Sequence, residues 1–94
     1  MKATLLVHSK TDDAAGAVTE IRIWQVTMTE HTPLGLKYSL AYIEHGIRIV
    51  GYDNERGKGD HRHYDGEETP YRFVDVDSLI ADFSRDVAAW RGEI

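Results

Sequence analysis

Between Tyr52 and His63 the chain runs Tyr-Asp-Asn-Glu-Arg-Gly-Lys-Gly-Asp-His-Arg-His. These twelve residues hold two histidines, two aspartates, a glutamate, two arginines, a lysine, an asparagine and two glycines. A hydrophobic core has no use for that mixture. His61 and His63 stand two apart, so on a strand both imidazoles project from one face and Arg62 from the other. Two imidazoles on one face suit general acid–base catalysis, in which a neutral ring takes a proton and a charged ring gives one. Cleavage of RNA through its 2′-hydroxyl is a reaction of that kind. In this reading His61 and His63 are the catalytic pair, and Asp53 orients one ring and fixes its tautomer. Arg56, Lys58 and Arg62 bind phosphate as charge builds on it, with Asn54 beside them on the substrate side. A bell-shaped pH profile is the expected signature.

The same residues admit other uses. His61, His63 and a carboxylate from Asp53 or Asp60 would serve as metal ligands in a metal-dependent hydrolase. Gly57 and Gly59 around Lys58 fit a backbone nest for a phosphate, although no Ser or Thr follows the lysine as in a Walker loop. A structural use is also open: Asp53-Asn54 before a glycine-rich stretch makes a good turn, and His61-Arg62-His63 fits the outer side of an edge strand. In a third use, the motif and an open sheet face form a non-catalytic interaction module. The reading adopted is the catalytic one, with no metal and no cofactor.

Bulk properties set the frame. Ninety-four residues, 41% hydrophobic and 29% charged, make one soluble domain spanning residues 1–94 with a single core. There are no cysteines, which excludes a disulfide framework and a cysteine–zinc site. No apolar run approaches the ~18–20 residues of a membrane span, and the N-terminus is too short and too polar for a signal peptide, so a cytoplasmic protein is expected. The net charge of -5 argues against a generic nucleic-acid-binding surface. Residues 65–94 carry eight acids against three arginines, whereas residues 48–64 carry four bases against three acids. The one locally cationic window is therefore the motif itself, as a small anionic-substrate patch requires.

The elements that must position the motif follow from periodicity. Residues 2–8 lean towards strand, and the small polar residues 9–19 have the composition of a loop. Residues 20–28 alternate as a strand with Ile21, Ile23 and Gln25 on one face. Thr29 to Gly35 turns. Residues 36–44 form a strand with Tyr38, Leu40 and Tyr42 on one side, and Glu44-His45-Gly46 is a short hairpin loop. Ile47 to Asp53 is the next strand, with Ile47 and Ile49 opposed to Arg48, Val50 and Tyr52. Residues 54–59 form a loop. His61 to Tyr64 returns as a strand, Asp65-Gly66 turns, and Thr69 to Val74 adds a short edge strand that tolerates Pro70. Asp75 or Asp77 caps a C-terminal helix whose apolar face is Val76, Leu79, Ile80, Phe83, Val87 and Trp90, with Asp82, Arg85, Asp86 and Arg91 mostly opposite. Gly92 ends it. Trp24, Phe83 and Trp90 are expected in the core. The fold class is α+β: an antiparallel meander of about four to six strands with one amphipathic C-terminal helix packed on one face. The other face is left solvated, or is buried in a homodimer or against a partner.

At this motif the sequence resembles the TumE-type family, the toxin half of bacterial and archaeal toxin–antitoxin pairs. The matching features are Tyr52-Asp53-Asn54 at the end of a central strand, the short glycine- and base-containing loop, and the closing His61-Arg62-His63. Tyr71 and Phe73 before the acidic start of the helix fit as well. The family's motif falls on Asp53, Asn54, His61 and His63. At Glu55-Arg56 the chain departs from it, since many members carry a histidine there. The resemblance implies a growth-inhibiting toxin acting on RNA, neutralised by a neighbouring antitoxin, commonly a helix-turn-helix protein.

Overall fold

The computed structural model describes residues 3–55 and 58–94. Six strands form one antiparallel sheet in chain order: β1 (Thr4–Asp12), β2 (Ala17–Gln25), β3 (Leu36–Glu44), β4 (Ile47–Glu55), β5 (Gly59–Tyr64) and β6 (Glu67–Pro70). One helix, α1 (Val76–Trp90), packs against it, so the α+β meander expected from periodicity is the fold. Two turns set the register of the central hairpins. His45 and Gly46 (φ 52° and 76°) join β3 to β4, and Asp65 and Gly66 (φ 50° and 84°) join β5 to β6. Paired positive φ values match the twist of the flanking strands.

The core lies between the sheet and α1. Tyr38, Leu40 and Tyr42 of β3, Val50 and Tyr52 of β4 and Ile23 of β2 meet Leu79 and Phe83 of α1. Asp75 caps the helix: its carboxylate accepts the Ser78 N–H at 2.7 Å. The tyrosine rings bury while their hydroxyls reach carboxylates at the rim. Tyr38 donates to Asp60, Tyr42 to Glu44, Tyr52 to Asp86 and Tyr71 to Asp82. Each phenol thus contributes apolar area without leaving its oxygen unpaired.

Several sequence expectations are corrected. The stretch 9–19 is no loop: β1 continues through Asp12 and β2 begins at Ala17, with only Asp13–Gly16 turning. Polar residues hold strand geometry there because the β1–β2 ladder pairs them through Asp12 and Val18, and Asp13 accepts the Ala15 and Ala17 N–H groups to close the turn. The edge strand β6 is Glu67–Pro70, earlier than 69–74. Trp24 is outside the core, because the alternation that buries Ile23 sends it to the uncovered face. Asp82 and Asp86 turn towards the sheet, drawn by Tyr71, Tyr52 and Arg62.

The last correction bears on the motif. Tyr42 pairs with Val50 but Ile43 pairs with Arg48, so Ile49 is an extra residue in β4. This bulge moves Arg48 off the face of Val50 and Tyr52 and onto the uncovered one.

Candidate functional site

Directly paired residues of an antiparallel sheet share a face, and the register therefore gives a map of the face away from α1. One row crosses the sheet as Arg22, Ser39, Asp53 and His61. The neighbouring row is Glu20, Ala41, Gly51, His63 and Glu68. The two imidazoles thus project from the same uncovered face, one row apart, beside Asp53.

His63 Nε2 lies 3.6 Å from Asp53 Oδ2 and 3.8 Å from Glu68 Oε1, within ion-pair range when the ring is charged. His61 Nδ1 lies 3.1 Å from the Gly59 carbonyl. A carbonyl only accepts, so Nδ1 carries the proton in this contact. In the neutral ring Nε2 then keeps its lone pair.

Arg48 joins this group. Its Nη1 reaches Asp53 Oδ2 at 3.4 Å. The guanidinium stem lies across Gly51: a Cβ placed there would meet Arg48 Cδ at 2.9 Å and Nε at 3.1 Å. Sequence reasoning passed over Arg48 because strict alternation put it with Val50 and Tyr52. The available signal was Gly51 itself, since a glycine inside a central strand marks a bulge or a close approach.

The remaining motif residues go elsewhere. Arg62 occupies the helix face. Its Nε and Nη2 grip the two Asp86 oxygens at 2.7 and 3.0 Å, Nε also donates to the Tyr52 hydroxyl at 3.1 Å, and the guanidinium carbon sits 5.0 Å from the Tyr64 ring centroid. The Asp86 carboxylate holds the Arg62 guanidinium even more firmly charged than usual. Burial, and then Asp86, pushes the Tyr52 phenol well above the ordinary tyrosine range.

Asn54 splices β4 to β3. Its Oδ1 accepts the Tyr38 N–H at 2.8 Å and its Nδ2 donates to the Leu36 carbonyl at 2.7 Å. Lys58 is exposed at the head of β5. Arg56 lies outside the described residues. Asp60 serves the Tyr38 hydroxyl. The structure therefore brings together His61, His63, Asp53 and Arg48, and separates Arg62 and Asn54 from them. Among the described residues no group of three His, Asp or Glu side chains is arranged to hold a metal ion, and no helix is long and apolar enough to cross a membrane.

A family model described as Toxin TumE matches residues 3–91, nearly the whole chain. No curated protein and no solved structure matches it.

Proposed function

Starting from the premise that this chain belongs to the TumE toxin family, we propose that it acts as a histidine-dependent ribonuclease on the uncovered face of its sheet. A toxin of this family implies an antitoxin partner, and the proposed partner is a helix-turn-helix protein in the same cytoplasm. The observation that carries the reading is the grouping of two imidazoles, Asp53 and Arg48 on the face of the sheet away from α1.

His61 is the base. Its Nε2 takes the proton of the 2′-hydroxyl while Nδ1–H stays on the Gly59 carbonyl. The 2′-oxygen attacks phosphorus, the bond from phosphorus to the 5′-oxygen breaks, and a 2′,3′-cyclic phosphate forms. His63, flanked by Asp53 and Glu68, is the acid and gives its proton to the leaving 5′-oxygen. Arg48 faces the charge that develops on the phosphoryl oxygens, with Lys58 at the head of β5 as a second cation. Arg62 has no part in this step because it faces α1.

The test is induced expression in a bacterial host, wild type beside a His61→Ala, His63→Ala double variant, following growth and total RNA. Arrest with RNA decay and cyclic-phosphate ends in the wild type alone is the expected result. Arrest by both proteins removes the histidines from the mechanism. Two folded proteins without effect overturn the ribonuclease reading.

A further inference from the structure

We infer that the cleft under the β2–β3 connection is a nucleotide subsite, and that single-stranded RNA runs from it past Trp24 and Lys37 towards His61. This deepens the proposed function and rests on the reading of the histidine pair as an RNA-cleaving site.

The first observation concerns the aromatic residues. Among the described residues, every phenylalanine, tyrosine and tryptophan except Trp24 belongs to the core or packs against it. Trp24 is half-buried on the uncovered face, between Leu5 on β1 and Lys37 on β3 in its row. An indole left on a bare sheet beside a cation is the pairing that single-stranded nucleic acid uses, with a base on the ring and a phosphate on the charge. Unpaired bases present that face and paired ones do not.

The second observation is the cleft, about 410 Å³ in volume, which adjoins this row. Val26, Thr27, Glu30, His31, Lys37 and Asn54 line it. The volume lies within the range of small-ligand sites. Hydrogen bonds within the β2–β3 connection hold its shape: Thr32 Oγ1 donates to the Thr27 carbonyl at 2.8 Å, and Thr29 Oγ1 accepts the His31 and Thr32 N–H groups at 3.1 and 3.2 Å. A preformed site loses little freedom on binding. Lys37 is exposed and makes no ion pair among the described residues, whereas Arg22 in the next row is held by Glu20 at 2.8 Å.

The third observation is the path. Lys37 stands two strands and one row from His61, about 12 Å away by ordinary sheet spacings. The residues between them in the His61 row are Ser39, small and exposed, and Asp53, whose carboxylate Arg48 meets at 3.4 Å; the next row continues with Ala41 and with Gly51, across which the Arg48 stem lies. A short run of nucleotides covers that span, passing over Ser39 and meeting the Arg48 guanidinium beside Asp53.

The experiment measures binding in the His61→Ala, His63→Ala background, which holds RNA intact. A fluorescein-labelled single-stranded RNA dodecamer and the same strand in a duplex are titrated at two salt concentrations. The single strand is expected to bind more tightly than the duplex. Lys37→Ala should weaken it about tenfold and flatten the salt dependence by about one phosphate contact. Trp24→Ala should weaken it about five- to tenfold with the salt slope unchanged. Trp24→Phe, which keeps a ring, should restore most of that loss. Undiminished binding by folded Lys37→Ala and Trp24→Ala proteins overturns the track while leaving the histidine site standing, and Lys37→Ala decides alone where Trp24→Ala does not fold. Equal affinity for duplex overturns the single-strand assignment. Unchanged RNA binding with loss of antitoxin binding assigns the face to the protein partner and overturns the inference. No RNA binding by the parent overturns it too, and the wild-type expression test then decides the histidine site separately.

Discussion

Replacing Arg62 by alanine separates a structural arginine from a phosphate-binding one. The guanidinium fork on Asp86 is two charge-assisted hydrogen bonds, and a third bond runs to the Tyr52 hydroxyl. Asp86 is 14% exposed and Arg62 34% exposed, so the pair is neither fully buried nor freely solvated. A fully buried pair broken on one side costs about 3–5 kcal/mol. Solvent screening at the Arg62 end lowers that to about 2–3 kcal/mol. For a domain of this size each kcal/mol moves the midpoint by about 4–8 °C, so Arg62→Ala should lower Tm by about 10–20 °C. Asp86→Ala should do the same, and the double variant should be little worse than either single one, because both remove one interaction. The assay is thermal unfolding by circular dichroism, with RNA cleavage measured at a temperature where each protein is still folded. Cleavage per folded molecule should be near that of the wild type. An Arg62→Ala protein with an unchanged Tm and lost cleavage would refute the clamp and return Arg62 to the substrate.

Two further predictions concern the site and the tyrosine rim. Gly51→Ala puts a methyl where the Arg48 stem lies, and Arg48, 44% exposed, swings into solvent. The unfolding free energy should change by less than about 0.5 kcal/mol, while cleavage falls about tenfold or more. Arg48→Ala should fall equally, and a Gly51→Ala, Arg48→Ala protein no further; losses that multiply would show that Gly51 acts independently of Arg48. Urea unfolding from pH 8 to 11 tests the phenols. Burial and carboxylate partners push Tyr38, Tyr52 and Tyr71 above their usual value. The folded chain therefore holds protons that the unfolded chain releases near pH 10, so their stabilisation is full below about pH 10 and is lost as pH rises beyond it. The slope approaches about 1.4 kcal/mol per pH unit for each fully shifted phenol. A urea midpoint that is level to pH 9 and falling by pH 11 is expected; one still level at pH 11 contradicts it.

What the sequence disclosed was what local rules govern. The alternation of Tyr38, Leu40 and Tyr42, the His45-Gly46 and Asp65-Gly66 turns, the Asp75 cap and the helical spacing of Leu79 and Phe83 depend on near neighbours, and all stand in the fold. The shared face of His61 and His63 followed from alternation alone. The features that were missed come from distant partners. Ser9 to Asp12 extend because β2 lies alongside them, and Asp86 faces inward because Arg62, remote in sequence, meets it there. The substrate role expected of Asn54 came from its residue type, whereas the contacts of its amide with the Tyr38 N–H and the Leu36 carbonyl come from the distant strand β3. Arg48 was hidden by a single inserted residue, Ile49, which reverses the parity on which the pattern argument rests.

The meander has a bearing on how the chain comes into being. Every strand pairs only with its neighbours in sequence, so the hairpins close over short loops and can form as they leave the ribosome. The helix is synthesised after all six strands, and its C-terminal end supplies long-range ties: the Trp90 indole to Glu44 and the Arg91 guanidinium to Asp13. Until it docks, Tyr38, Leu40, Tyr42 and Tyr52 lack Leu79 and Phe83, although Phe73 already stacks on Tyr38 and Tyr71 meets Tyr52 edge-on. A chain cut before Val76 would keep the whole histidine face and lose the surface its sheet folds against.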